Sequence, residues 1–297
     1  MITFRQIETL AREAGFDACG VARVRELSEQ RERLERWIGR GYCSLNYMER
    51  GLDRRLNPAQ LVEGARTVVV CAVSYFHATA SRVASYALAR DYHATIKQML
   101  VDLLARLQQI DPELRGGAFC DAAPLLEKAW AVEAGVGWQG RNGLIINPRL
   151  GSFILLGELI LDREVSACSE PFRCKQGEGC GECRRCIEAC PAGAIVEPHV
   201  IDTNRCISRL TIERGAAEAP LHGWIFGCDV CQQVCPHNRN APVAVNPAFA
   251  PVIDPAQLTD DFWRGLTEEQ FNTIFGQTPL TRSGYAKIKQ RIKFENE

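Results

Sequence analysis

Eight cysteines, seven of them in two runs, decide what this chain can be. Residues 180 to 190 read CGECRRCIEAC and lead into Pro191, so Cys180, Cys183, Cys186 and Cys190 follow the spacing C-x2-C-x2-C-x3-C-P. That is the bacterial ferredoxin run for a 4Fe–4S cluster, whose fourth cysteine serves a second cluster. A second copy is therefore expected. Cys228-x2-Cys231-x3-Cys235-Pro236 supplies it, with Cys206 between the runs. Three cysteines at x2 spacing wrap one face of a cube, and the fourth corner comes from elsewhere in the chain. The spacing assigns Cys180, Cys183, Cys186 and Cys235 to one cluster, and Cys190, Cys206, Cys228 and Cys231 to the other. Zinc would draw on four-ligand knots, usually with His, and would not need two Cys-Pro endings. A disulfide framework belongs to small secreted domains.

The chain has 297 residues, 46% of them hydrophobic, enough for one large or two modest domains with a sizeable core. A net charge of −1 gives no global footprint for nucleic acid and leaves only local basic patches for that role. The N-terminal stretch has neither an apolar signal region nor a twin-arginine leader. The most apolar run, Phe153 to Leu161, is short and carries Glu158, which argues against a membrane span. The other cysteines, at 19, 43, 71, 120, 168 and 174, are scattered; with exposed cluster sulfurs they fit a reducing, cytoplasmic location.

Along the chain, Thr3-x-x-Gln6 is a capping box that opens a helix through Ile7, Leu10 and Ala14, closed by Gly15. A strand is expected from Phe16 to Val24, then an Arg/Glu-rich, solvent-facing helix over 28–39. Thr67 to Tyr75 is a nearly continuous β-branched run, the pattern of a buried strand. Ile96, Leu100, Leu103, Leu107 and Ile110 mark a long amphipathic helix. A strand over 116–120 delivers Asp121 at its end, and a short helix covers 125–134. Leu144 to Ile146 and Phe153 to Leu161 read as strands that a hairpin would join across Asn147-Pro148, although the six-residue link leaves its geometry open. Pro242 to Pro255 reads as a linker or wrapping segment before a helical C-terminus with a basic stretch, Lys287 to Lys293.

Clusters move electrons singly and need an acceptor. No G-x-G-x-x-G opens a helix after a strand, and no Walker A is present; GVGWQG, at 135–140, sits between a helix and a strand. The Asp-x-His-x-x-Gly pattern of base-off cobalamin proteins is also missing.

Several longer stretches carry a resemblance. They are YALARDYH at 86–93, DAAPLLE at 121–127, EAGVGWQGRN at 133–142, INPRLGSFILLGELILD at 146–162, RCISRLTIE at 205–213 and IFGCDVCQQVCPHN at 225–238. Together with the first cysteine run they resemble epoxyqueuosine reductase over residues 15 to 240. The resemblance implies an α+β fold: a nitroreductase-like cobalamin-binding domain over 1–165, a ferredoxin-like two-cluster domain over 166–241, and a C-terminal wrapping segment with helices over 242–297. It implies cobalamin and two 4Fe–4S clusters as cofactors. The implied substrate is epoxyqueuosine at the wobble position of a tRNA anticodon stem-loop. A flavodoxin or ferredoxin would donate electrons to a monomer that touches no membrane. A reductive dehalogenase shares these cofactors, and a non-catalytic corrinoid-binding electron carrier is the third reading.

The same resemblance carries over site residues. Asp121 matches the family's proton donor, which requires a pKa raised by burial beside the corrin; on spacing alone, an Asp before small residues and Pro is more often a turn residue. Arg55, Tyr86, Ile145, Leu156, Ser208 and Asp229 match positions that would contact cobalamin. His93 and His237 read as satisfied polar residues, and Trp138 and Trp224 as packing. Arg209 departs from an aromatic residue in the RCISxLTIE text. Many relatives carry a C-terminal helical-repeat region that helps to hold tRNA, which this chain is too short to include. Anticodon binding would then rest on the basic 31–55 region, Arg214 and the 287–293 tail.

Overall fold

The computed structural model describes residues 2–77, 81–166, 179–213 and 219–294. Cys168, Cys174 and Arg214 lie outside the described residues. The chain runs α1 (Phe4–Glu13), β1 (Ala18–Arg23), α2 (Ser28–Gly39), α3 (Asn46–Glu49), α4 (Leu52–Leu56), β2 (Thr67–Ser74), α5 (Tyr92–Ile110), β3 (Gly116–Phe119) and α6 (Glu127–Glu133). It continues through β4 (Trp138–Gln139), β5 (Ile145–Ile146), β6 (Ile154–Leu161), α7 (Arg185–Ala189), β7 (Ile195–Glu197), β8 (Val200–Ile201), α8 (Ile207–Ile212) and α9 (Val230–Gln233). Three helices close it: α10 (Asp260–Gly265), α11 (Glu268–Phe275) and α12 (Gly284–Phe294).

One antiparallel sheet in the order β1-β2-β6-β3 organises the N-terminal part. All eight positions of β2 are buried, as its unbroken Val-rich run requires of a strand covered on both faces. Its odd-numbered side chains, Val69, Cys71 and Val73, pack under α1 and α5 with Ile7, Ile96, Leu100 and Leu103. The alternate set, Val68, Val70 and Ala72, packs with Trp130, Ala131 and Ala134 of and beside α6. The capping box at Thr3 and Gln6 forms and starts α1. Helix α2 buries none of its residues, as its charge pattern indicates.

The hairpin expected between 144–146 and 153–161 is not formed. Strand β5 pairs backward with β4, Ile146 opposite Trp138, while β6 inserts between β2 and β3. The link closes on itself through the Asn147–Gly151 bridge and turns the chain from one sheet into the other. Long-range burial of FILLGELIL decides this pairing, and local spacing does not encode it.

Segment 242–258 wraps back over the N-terminal part. Ala244 N–H donates to Phe76 O (2.8 Å), Asn246 Nδ2 to Gly15 O (3.1 Å) and Val252 N–H to Leu88 O (2.8 Å). The final helices bury Trp263, Phe271, Phe275, Leu280 and Ile288 against Val83, Leu88, Ile225 and Phe226. The expected basic tail is partly turned inward. Lys289 Nζ donates to Arg264 O (2.6 Å) and Arg291 donates to Ile225 O (2.9 Å), so these two cations satisfy main-chain carbonyls. Among the described residues, no helix is long and apolar enough to cross a membrane.

The sheet meets α6 with little clearance at Gly20. A Cβ there would stand 1.9 Å from Ala134 O, and backbone on both sides prevents relief. Gly20→Ala is expected to lower stability by about 1–3 kcal/mol. Equilibrium urea unfolding checks this, and an unchanged midpoint would contradict it.

Candidate active site and cluster-binding thiols

Strand β3 ends at Phe119, and two residues later the chain turns at Asp121 with φ 54°, a left-handed conformation uncommon outside glycine. Tyr92 donates from its hydroxyl to Asp121 Oδ2 (2.7 Å), and His93 Nε2 lies 3.0 Å from the same oxygen. Both side chains sit in the first turn of α5, whose cap is Asp91. Asp91 Oδ1 accepts from His93 N–H (2.9 Å) and lies 2.7 Å from His93 Nδ1. The imidazole is thus held between two carboxylates. Hydrogen bonding to Asp121 raises the His93 pKa against the opposing effect of burial, and Asp91 adds to the rise.

A raised Asp121 pKa is expected from burial beside a corrin; the protein's own groups act on it in the other direction. The His93 hydrogen bond, with Tyr92 in support, outweighs desolvation and holds the carboxyl below its ordinary value. Each shift favours the charged form of its group, and the two side chains share the hydrogen bond between Oδ2 and Nε2. The reading of His93 as a satisfied polar residue missed this. The signal was present in the text, since Asp91 stands two residues before His93 inside YALARDYH.

Beneath Asp121 lie two further carboxyls. Glu127, the first residue of α6, accepts the Asp121 main-chain N–H in a short hydrogen bond. Glu158 on β6 is fully buried, directly opposite Phe119. Desolvation pushes its pKa well above the ordinary 4.5, so it is neutral. Next to Glu127, Lys128 is exposed, yet desolvation lowers its pKa, and it lies within electrostatic reach of Glu127, Asp121, Cys206 and Cys231. Lys128 thus stands near both the Asp121 loop and the second thiol set. Arg282, paired with both oxygens of Glu213 at 3.0 Å, acts on Asp121 and on Tyr47, an exposed aromatic.

The thiols fall into two groups. Cys180, Cys183, Cys186 and Cys235 line one cavity together with Arg141, Asn142 and His237. Asn142 Nδ2 is buried there without a hydrogen-bond partner, a donor suited to a cluster sulfur. In the second group, burial and then the neighbouring Cys206 and Cys190 push the Cys228 thiol up to about 12. Cys231 is raised by burial and by the same neighbours, Cys228 and Cys206. Thiols so placed become thiolates only around a cation that offsets their repulsion. No group of three or more His, Cys, Asp or Glu among the described residues is placed to hold a single metal ion, and the first set rings a cavity instead.

The remaining carried-over positions are distributed as follows. Arg55 Nε is buried without a partner, while one terminal nitrogen donates to Tyr47 O (2.9 Å). Tyr86 packs edge-on against Tyr75 and Tyr92, and burial raises its pKa. Leu156 lies on the same face of β6 as Glu158, and Cys120 Sγ donates to its carbonyl (3.5 Å). Ile145 is buried in β5. Ser208 is half-buried in α8. Asp229 is buried, and its oxygens accept from Ser85 N–H (2.7 Å), Ser85 Oγ (2.8 Å) and Gln232 Nε2 (3.1 Å), so it ties the cluster loop to the segment before Tyr86. Arg209 donates to Ser44 O (3.2 Å) and keeps a buried Nε without a partner. In the basic 31–55 region, Arg31 and Arg40 are paired with Asp53 and Glu197.

Residues 179–238 match the 4Fe-4S double cluster binding domain, and residues 55–122 match Epoxyqueuosine reductase QueG, DUF1730. The epoxyqueuosine reductase of Cyclobacterium marinum is 37% identical over 301 residues, covering 97% of this chain and 95% of that protein. The chain belongs to the epoxyqueuosine reductase family. It is accordingly an oxidoreductase with a domain for two 4Fe–4S clusters. The crystal structure of an epoxyqueuosine reductase with an epoxyqueuosine-modified tRNA-Tyr stem loop superposes with a TM-score of 0.85 at 25% identity, over 97% of this chain and 79% of that one. The Bacillus subtilis epoxyqueuosine reductase, solved with its catalytic aspartate loop swung out of the active site, gives the same score and identity over the same shares. A catabolic reductive dehalogenase shares the fold alone, at 15% identity and a TM-score of 0.51 over 98% of this chain and 36% of that one.

Glu158 makes stability depend on pH. Its folded pKa is raised, so the folded state keeps a proton that the unfolded state releases above 4.5. Stability is lost as pH rises through that window, by up to about 1.4 kcal/mol per pH unit. The advantage in thermal midpoint of Glu158→Gln over the parent is expected to grow between about pH 5 and pH 8. A constant difference would contradict the assignment.

Proposed function

We propose that this chain reduces epoxyqueuosine to queuosine at the wobble position of tRNA anticodons, using cobalamin and two 4Fe–4S clusters. The observation that carries this reading is Asp121, hydrogen-bonded by Tyr92 and His93, with Lys128 within electrostatic reach of both Asp121 and the Cys206 and Cys231 thiols; we read the space between them as the recess for the corrin. The reaction replaces an epoxide by an alkene, consumes two electrons and two protons, and releases the oxygen as water. When bound, the clusters supply electrons singly, and a corrin in the recess supplies them to the epoxide carbon.

The protein's own residues handle the proton and the position. As the carbon–oxygen bond opens, the oxygen becomes an alkoxide, which a positioned acid stabilises by about 10²–10⁴-fold in rate. Asp121 delivers the proton, and His93 Nε2 replaces it, with Asp91 behind the imidazole. Tyr92 fixes the Asp121 carboxyl by donating to Oδ2. The orphaned Nε of Arg55 and the desolvated Lys128 fit polar edges of a large cofactor. Tyr86, Ile145, Leu156 and Ser208 complete that set, and Asp229 acts on it through Ser85. The two thiol groups are assigned one cluster each. Domain limits of 1–165, 166–241 and 242–297 fit the separate sheet, thiol and C-terminal cores, and the first is assigned the nitroreductase-like cobalamin domain.

The partner is an anticodon stem-loop, in keeping with the stem loop bound to a solved relative. An electron donor such as flavodoxin or ferredoxin would dock where Glu182, Arg184 and Arg185 stand exposed beside the first cavity. The test uses anaerobically prepared protein loaded with iron, sulfide and cobalamin, and follows an epoxyqueuosine stem-loop by nucleoside mass. Loss of one oxygen is expected, and corrin binding without turnover would overturn the reading. Asp121→Asn should keep clusters and cobalamin while lowering turnover by about 10²-fold or more. Unchanged turnover would remove the proton-donor role.

A further inference from the structure

Asp121 stands in the left-handed region at φ 54°, uncommon for a residue with a side chain although Asp enters it more readily than most. Such a turn persists only when its surroundings over-determine it. Tyr92 and His93 hold the side chain, and a separate group holds the main chain: the Glu127 carboxyl, which accepts the Asp121 N–H. Glu127 is itself fixed, because it opens α6, whose Trp130 and Ala131 are locked in the core. We propose that Glu127, backed by Glu158, is the positioning residue of this site and latches the Asp121 loop into its working turn. The inference rests on the proton-donor reading of Asp121.

Two observations make the pair more than a local contact. Glu158 carries a carboxyl into a fully buried position on β6, where its oxygens meet no amide or hydroxyl donor and its side chain interacts with that of Glu127. A buried acid that no donor reaches is costly and needs a reason. The polar group it faces is the Glu127 carboxyl, so a neutral Glu158 keeps its O–H for that neighbour. Glu127 is then the one acceptor for a proton-bearing acid below and an N–H above. In the Bacillus subtilis relative a catalytic loop that carries an aspartate is swung out of the active site, and a releasable latch would suit a loop of that kind.

The groups facing Glu127 are Asp121, Glu158 and Lys128, with the Cys120 thiol alongside; Cys71 faces Glu158. Burial, then Asp121, pushes Glu127 up to about 7. The carboxylate form is the stronger acceptor, so the latch is set above that pH and slackens below it. His93 acts in the opposite sense, losing its proton at higher pH.

Loaded holoenzyme is the material for the test. Amide exchange of residues 120–126 is read without substrate, and turnover on the epoxyqueuosine stem-loop is read from pH 5.5 to 9, both about neutrality as the latch requires. Glu127→Ala should speed exchange of that segment by about tenfold or more, and lower kcat about 10–100-fold with KM within about twofold. Glu127→Gln keeps an acceptor that does not titrate. It should restore protection and most of kcat while abolishing the acid limb of the profile. Wild-type protection in Glu127→Ala, or an unshifted acid limb in Glu127→Gln, would overturn the latch. Turnover that survives Asp121→Asn would instead sink the proton-donor reading and leave the exchange data to decide the latch alone.

Discussion

Four thiols cannot be packed side by side as anions without a cation among them, and this protein does so twice. The first set takes its sulfurs from two separate stretches of chain and the second from three, so filling either site ties those stretches together. The ties extend into the N-terminal part. Gln232 donates to Tyr75 Oη (3.1 Å) and accepts from Ser152 Oγ (3.0 Å), and Asn238 bonds both Ser152 N–H (2.7 Å) and Ser152 Oγ (2.9 Å). Asp229 clamps Ser85, one residue before Tyr86. Cluster loops and recess walls are therefore one mechanical unit, with fully satisfied buried polar groups at the joint.

On the other wall, three carboxyls share a small volume and cannot all be charged. Their surroundings separate them. Asp121 has two donors and a nearby arginine, which lower its pKa; Glu127 has one main-chain donor and is pushed up to about 7; Glu158, which no donor reaches, is raised well above the ordinary value. An imidazole bonded to the Asp121 carboxyl is a different arrangement from a simple buried acid, since the pair can exchange a proton between Nε2 and Oδ2. The C-terminal helices serve this wall as well, since Asp91 N–H is anchored to Gln277 O (2.8 Å).

Features set by short-range spacing were legible in the sequence. The cysteine runs announce two clusters because neighbouring ligands wrap one cube, and the structure gathers Cys235 with Cys180, Cys183 and Cys186 across more than forty residues of chain. The Val-rich β2, the capping box at Thr3 and the solvent-facing α2 were equally plain. Long-range features were not. Glu158 read as a blemish in an apolar run, and only its pairing opposite Phe119 puts it under Asp121. The strand pairing of β5 and β6 was open for the same reason. The basic tail divides for a related reason, because charge along a sequence does not say which way a side chain turns: Lys289 and Arg291 donate to carbonyls, while Lys287 is exposed.

The central claim is that a corrin in this recess sits against the second iron–sulfur cluster. The direct test is the electron paramagnetic resonance spectrum of Co(II) in anaerobically loaded protein, with the clusters oxidised and then reduced. The account predicts clear broadening of the cobalt signal by spin–spin coupling when the Cys190, Cys206, Cys228 and Cys231 cluster is reduced. A cobalt spectrum indifferent to the state of the clusters would contradict it.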